Sequence, residues 1–144
     1  MTPGEKCRLV VEEGQELHGF RKTVSQEQIN LYARASGDGN PIHLDPEFAA
    51  QGPFGRIVAH GMLTLGFVSE LMTRSFGRHW AEGGGMKVRF RAPAYPGEEL
   101  IIFGQVTGLA KVEGGRLAKC TVGCRKVDGQ EVVTGEASVT LPDA

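Results

Sequence analysis

The stretch Tyr32-Ala-Arg-Ala-Ser-Gly-Asp-Gly-Asn-Pro-Ile-His-Leu-Asp-Pro46, joined further on by Ala59-His60-Gly61-Met62, gathers most of the chain's candidate chemistry. Asp38 and His43 flank a loop stiffened by Pro41, close enough in sequence for both side chains to address one water molecule. A carboxylate and an imidazole on one water make a general acid/base pair. Asp38 then needs its pKa held near the operating pH by partial burial, and the adjoining apolar helix is the expected wall. The same Asp, Gly, Asn and Pro residues are ordinary turn formers, so Asp38 and Asn40 carry a purely structural reading beside the chemical one.

His43-Leu44-Asp45 also has the His-x-Asp spacing of a two-histidine, one-carboxylate metal site, with His60 or His79 as third ligand. That asks Asp45 to cap a helix and ligate a metal at once; the cap is the better use, and no metal site is expected. Gly61 and Met62 sit at a helix N-terminus, where free N–H donors and the helix dipole favour a developing oxyanion. Glycine there lets a substrate carbonyl approach closely. His60 either caps and spaces the helix entry or faces a ligand.

These residues need elements to hold them. Ser25 followed by Gln28 is a capping box, and Val24 with Ile29 forms a hydrophobic staple, so a first helix is expected over residues 26–36 with Gly37 ending it. Asp45 and Pro46 are the N-cap and first residue of a short second helix. Residues 57–72 are apolar on nearly every side, which marks a helix enclosed by other structure. The second half supplies the enclosure. Met86, Val88 and Phe90 alternate with Lys87, Arg89 and Arg91, and Ala118, Cys120, Val122 and Cys124 alternate with polar residues or glycine. Two more runs, 100–107 and 132–141, complete four strands separated by turns at Pro96-Gly97, Gly114-Gly115 and Asp128-Gly129. One or two strands, at 7–11 and 17–23, precede the first helix. The pattern is α+β: an antiparallel meander wrapping one buried helix within a single domain spanning 1–144.

Composition narrows the function. The chain has 144 residues and a formal net charge of −1, which argues against a nucleic-acid surface. Its three cysteines form no Cys-x-x-Cys pair, the start lacks a signal-peptide core, and no apolar run is long enough to cross a bilayer, so a cytoplasmic protein without membrane contact is expected. No metal, nicotinamide or flavin motif is visible.

The pattern Tyr-x-x-x-Ser-Gly-Asp-x-Asn-Pro-x-His-x-Asp-Pro-x-x-Ala at 32–49, with His-Gly-Met-Leu-Thr at 60–64, resembles the signature of the MaoC-like family, the hydratase-2 group of (R)-specific enoyl-CoA hydratases and their dehydratase relatives. The resemblance implies a hot-dog fold, usually paired in a dimer whose sheets join edge to edge. It places the catalytic aspartate on Asp38 and the catalytic histidine on His43, makes Asn40 the residue that orders the loop, and puts Gly61 beside the thioester carbonyl. It implies an acyl-CoA or acyl-carrier-protein thioester as substrate, water addition across the trans-2 double bond, and no cofactor. An acyl tunnel is then expected along Met62, Leu65 and Phe67, each of which is also a natural core residue. Lys87, Arg89 and Arg91 become candidates for the phosphates of the thioester handle, against the plainer reading of solvated strand charge. Two rival functions stand beside hydration: a thioesterase using Glu70 on the central helix, and a non-catalytic binder or partner subunit.

Overall fold

A computed structural model describes residues 11–143. In chain order the elements are β1 (Phe20–Thr23), α1 (Gln26–Ser36), α2 (Pro41–Leu44), α3 (Pro46–Ala50), α4 (Gly61–Phe76), α5 (Arg78–Gly83), β2 (Gly84–Phe90), β3 (Glu99–Val112), β4 (Gly115–Lys126) and β5 (Glu131–Leu141). The strands form one antiparallel sheet in the order β1-β3-β4-β5-β2. Its inner face packs on α4: Ile102, Val106, Cys120, Val122, Val133 and Val139 join Leu63, Phe67, Val68, Leu71, Met72 and Phe76 in one buried cluster. The strand expected at residues 7–11 lies, apart from Val11, outside the described residues. Of the run 17–23, only Phe20–Thr23 forms β1, paired with β3.

Local chemistry accounts for the first helix. Ser25 Oγ accepts from the Gln28 N–H at 3.1 Å, Val24 and Ile29 are both fully buried, and Gly37 at φ 80° closes the end. The reciprocal half of the capping box is not made, since Gln28 Oε1 is buried with no partner among the described residues.

Two expectations change. The four late strands are not a simple meander: β3, β4 and β5 follow one another, but β2 lies at the far edge against β5 rather than beside β3. The connection, residues 91–98, carries Pro93 and Pro96, which cannot donate to a ladder. Its Gly97 N–H bonds to Val24 O and Val24 N–H to Glu98 O, tying the turn to the end of β1 instead of forming a hairpin. The central helix begins at Gly61, not at residue 57, and runs on through Thr73, Arg74 and Ser75. Residues 57–60 are extended because their backbone is engaged elsewhere: Val58 N–H bonds to Ile42 O and Ala59 N–H to Ala94 O. Nor is α4 enclosed all round; Met62 and Gly66 are exposed. Among the described residues no helix is long and apolar enough to cross a membrane.

Cys120 and Cys124 face the buried side of β4. Burial pushes both thiols up to about 11, with a backbone hydrogen bond from Val133 opposing the effect at Cys124.

On β5, Gly135 lies opposite Val88, and a Cβ there would run into Lys87 O and within 2.9 Å of the Val88 Cα. Gly135→Ala should therefore force β2 away from β5 and lower stability by about 1–3 kcal/mol. A urea titration of the two proteins measures this, and equal midpoints would refute the close β2–β5 approach.

Candidate active site

The site begins where α1 ends. Gly37 turns the chain, and the next turns are held by short local bonds: Asp38 N–H to Ser36 Oγ at 3.1 Å and Asn40 N–H to Asp38 Oδ1 at 3.3 Å. Asn40 then caps α2, its Oδ1 accepting from Ile42 N–H at 3.1 Å, with Pro41 at the first helical position. The segment expected as loop thus contains one helical turn, and that turn carries His43. Asp45 ends α2 and caps α3, its Oδ1 accepting from the Glu47 and Phe48 N–H groups.

His43 Nδ1 lies 2.7 Å from Val58 O. A carbonyl only accepts, so Nδ1 donates and the tautomer leaves Nε2 as the reactive nitrogen. Nε2 stands 4.0 Å from Asp38 Oδ2. Two groups at that separation both reach one oxygen placed about 2.8 Å from each. The Gln26 side chain fixes α2 from the other side by donating to His43 O at 2.9 Å.

The burial is not distributed as expected. The Asp38 side chain is 53% exposed, whereas the His43 side chain is 9% exposed. The low-dielectric environment belongs to the imidazole.

His43 borders a cleft of about 360 Å³ whose other walls include Ile42, Phe54, Gly61, Phe90 and Ala94. Gly61 opens α4, whose N-cap makes no side-chain hydrogen bond, so the leading N–H groups of Gly61 and Met62 are left without a capping side chain. A Cβ at Gly61 would come within 3.1 Å of the Phe90 ring, so glycine lets that ring lie over the helix start.

The remaining candidates are dispersed. Met62 is 55% exposed, Leu65 half-buried, and Phe67 points into the core at 4% exposure; none of the three lines the cleft beside His43. Lys87 and Arg89 pair with Glu136 and Thr134 on the outer face of the sheet, away from α4. Arg91 alone of the three basic residues borders the cleft, and its Nε donates to Thr134 Oγ1 at 2.9 Å.

His60 is the residue that sequence spacing undervalued. It is 2% exposed, its Nε2 donates to Asp38 O at 3.0 Å, and its ring stacks on His43 with centroids 3.7 Å apart. The only signal for it in the sequence is its place directly before the helix-opening glycine. The metal reading changes shape too: Asp45 is occupied as a cap, and His79 follows α4, which is roughly 24 Å long. Asp38, His43 and His60 do offer ligand atoms within 4.8 Å of one another. They make a poor chelate, because imidazoles bind through in-plane lone pairs and these rings are stacked at 25°.

The sheet wrapped over one long helix is a hot-dog fold. Residues 10–132 match the family model described as a MaoC-like domain, and the chain belongs to that family. It is 36% identical over 111 residues to the 3-hydroxyacyl-thioester dehydratase Z of Mycobacterium tuberculosis, covering 74% of each chain. It is 33% identical to the (R)-specific enoyl-CoA hydratase of Aeromonas caviae over 96% of this chain and 94% of that one. The solved (R)-hydratase of A. caviae, involved in PHA biosynthesis, superposes with a TM-score of 0.78 at 32% identity, covering 92% of this chain and 98% of that one.

Glu70, the carboxylate a thioesterase would need, is bound to Lys22 at 2.9 Å and to Arg74 one turn on. Partial burial pushes its carboxyl up, but the hydrogen bonds and charges of Lys22 and Arg74 together outweigh this and hold it below its ordinary value of 4.5. Stability from this group is therefore present above the unfolded value and lost as pH falls through the folded one. Glu70→Gln should cost about 0.5 kcal/mol at neutral pH, with the difference from the parent shrinking below pH 4.5. Thermal unfolding across pH tests this; a difference constant with pH would show that the pairing contributes nothing.

Proposed function

We propose that this chain is a hydro-lyase that adds water reversibly to trans-2-enoyl thioesters, giving (R)-3-hydroxyacyl thioesters, with Asp38 and His43 holding the water. The observation that carries the reading is the 4.0 Å approach of Asp38 Oδ2 to His43 Nε2 beside a cleft that also contains the opening residue of α4. The names of the relatives supply the substrate class and the stereochemical sense.

The chemistry follows from the donors. Water held by Asp38 and His43 attacks C3 as one of its protons passes to the pair; Nε2 is the acceptor on the imidazole because Nδ1 is already donating. Electron density moves through C2 onto the thioester oxygen, where the Gly61 and Met62 N–H groups and the helix dipole oppose the developing charge. A proton delivered to C2 completes the addition, so every atom of water is retained in the product and no redox partner is needed.

Hydration is favoured over thioester hydrolysis because Glu70 is neutralised by two cations, while the loop pair is free to act. Arg91, at the edge of the cleft, is the basic residue best placed to meet a phosphate of a CoA or carrier-protein handle. A homodimer is the proposed assembly. It is supported by β2, which among the described residues pairs only with β5 and has no strand on its outer edge.

The test is to mix the protein with short and medium trans-2-enoyl-CoA and follow the conjugated thioester absorbance, with free thiol monitored in parallel. Loss of absorbance without thiol is expected; thiol release with unsaturation intact would replace this reading with hydrolysis. Asp38→Asn and His43→Ala should fold normally and each lose about 10²–10⁴ in kcat. Near-normal turnover in either variant would remove that residue from the mechanism.

A further inference from the structure

We infer that His60 is a positioning residue: through its bond to the Asp38 carbonyl and its stack on His43 it holds the acid and the imidazole in register. The kinetic part of this inference rests on the hydro-lyase reading; the geometric part does not.

The turn that carries Asp38 is intrinsically loose. Asp38 lies between Gly37, at φ 80°, and Gly39, the residue type with most conformational freedom to lose. Its own bonds, Asp38 N–H to Ser36 Oγ, Gly39 N–H to Gly37 O and Asn40 N–H to Asp38 Oδ1, all span two residues. Such bonds shape a turn without fixing where it lies relative to α2 and α4. The bond from His60 Nε2 to Asp38 O reaches across 22 residues and ties that turn to the start of α4. Among the described residues it is the one hydrogen bond that connects the Asp38 backbone to a residue distant in sequence.

The same ring closes the site from behind. Stacked on His43 at 3.7 Å and flanked by Tyr32 at 4.7 Å with a 58° tilt, it blocks rotation of the His43 imidazole on one face, while Val58 O holds its Nδ1. His60 Nδ1 is buried with no partner among the described residues. The acceptor on Nε2 and the absence of one on Nδ1 specify a single tautomer, with the ring proton on Nε2. His60 therefore acts on both members of the pair, on one through its backbone and on the other through its ring face, and touches neither the water nor the cleft.

Two substitutions separate the contributions. His60→Phe keeps a flat ring for the stack and removes the donor; His60→Gln places an amide N–H the same number of bonds from Cβ as Nε2 and removes the ring. With a short trans-2-enoyl-CoA, His60→Phe should lower kcat by about 10²-fold, the scale of a roughly 1 Å misplacement, with KM within about threefold. His60→Gln should recover most of that loss. A Phe variant with kcat close to the parent, or a rise in KM with kcat unchanged, would overturn the inference.

Nuclear magnetic resonance on labelled protein gives a readout that needs no turnover. The parent should show His60 as the Nε2–H tautomer. Backbone order parameters of residues 37–40 should fall in His60→Phe and return in His60→Gln. An Nδ1–H tautomer, or unchanged order in the Phe variant, would refute the positioning role even in an active enzyme. The expected tautomer and order changes in a protein without hydratase turnover would uphold it and sink only the proposed reaction.

Discussion

The 2.7 Å hydrogen bond from His43 Nδ1 to Val58 O depends on a helix starting late. In an α-helix each carbonyl is taken by the N–H four residues on. Had α4 begun at residue 57, the Ile57 carbonyl would occupy the Gly61 N–H and the Val58 carbonyl the Met62 N–H. His43 would lose the acceptor that sets its tautomer, and the Gly61 and Met62 N–H groups would be taken up inside the helix. Keeping residues 57–60 extended and opening the helix at Gly61 frees both sets of groups at once. Hydrogen bonds to Ile42 O and Ala94 O hold the segment in that state. The tautomer of His43 and the uncapped start of α4 are therefore consequences of one backbone arrangement.

That constraint explains which parts of the site could be read from residue types and which could not. Asp38, Asn40, His43 and Asp45 lie in one short stretch whose caps and proline are local signals. Asn40 and Asp45 do what their side-chain oxygens do best, accepting from N–H groups two and three residues on. The alternation in β4 and the Asp128-Gly129 turn, with Gly129 at φ 97°, are equally local. The start of α4 is not. An apolar run scores the same whether its first residues are helical or extended, and the partners that hold 58 and 59 extended come from α2 and the 91–98 connection. His60 was open to two readings for the same reason: its bonding partner is 22 residues away. The position of β2 also needed long-range information, since nothing in its own sequence says whether β3 or β5 will be its neighbour.

The dispersal of the acyl-tunnel candidates has a related cause. Met62, Leu65 and Phe67 belong to one apolar run, but a helix distributes residues around its axis at about 100° each. Phe67 shares a face with Leu63 and Leu71 and fills the core; Met62 lies on the side away from the sheet. The aromatic surface the cleft does have comes from Phe54 and Phe90, on a loop and at the end of an edge strand, where no helical periodicity could point to them. A Cβ at residue 61 would lie 3.1 Å from the Phe90 ring and press it aside. The glycine at the helix start thus leaves room for the ring.

The charges in this fold are sorted by how much freedom each carboxylate needs. Glu70 is gripped by Lys22 and Arg74, and Glu98 by the buried Lys126 at 3.0 Å while it also accepts from the Tyr95 N–H. Each has a cation to offset the loss of water, and each is thereby spent on holding elements together. Among the described residues Asp38 has no such cation in contact; its side chain meets an imidazole 4.0 Å away and a backbone N–H. A carboxylate left this way keeps acceptor capacity for a water molecule, and because it stays half in solvent it does so without the desolvation cost a buried unpaired charge would carry. Burial is spent instead on the two histidines, whose orientation matters more than their hydration. The exposed carboxylate and the buried imidazole suit the roles proposed for them: one would hold water, and the other would hold still.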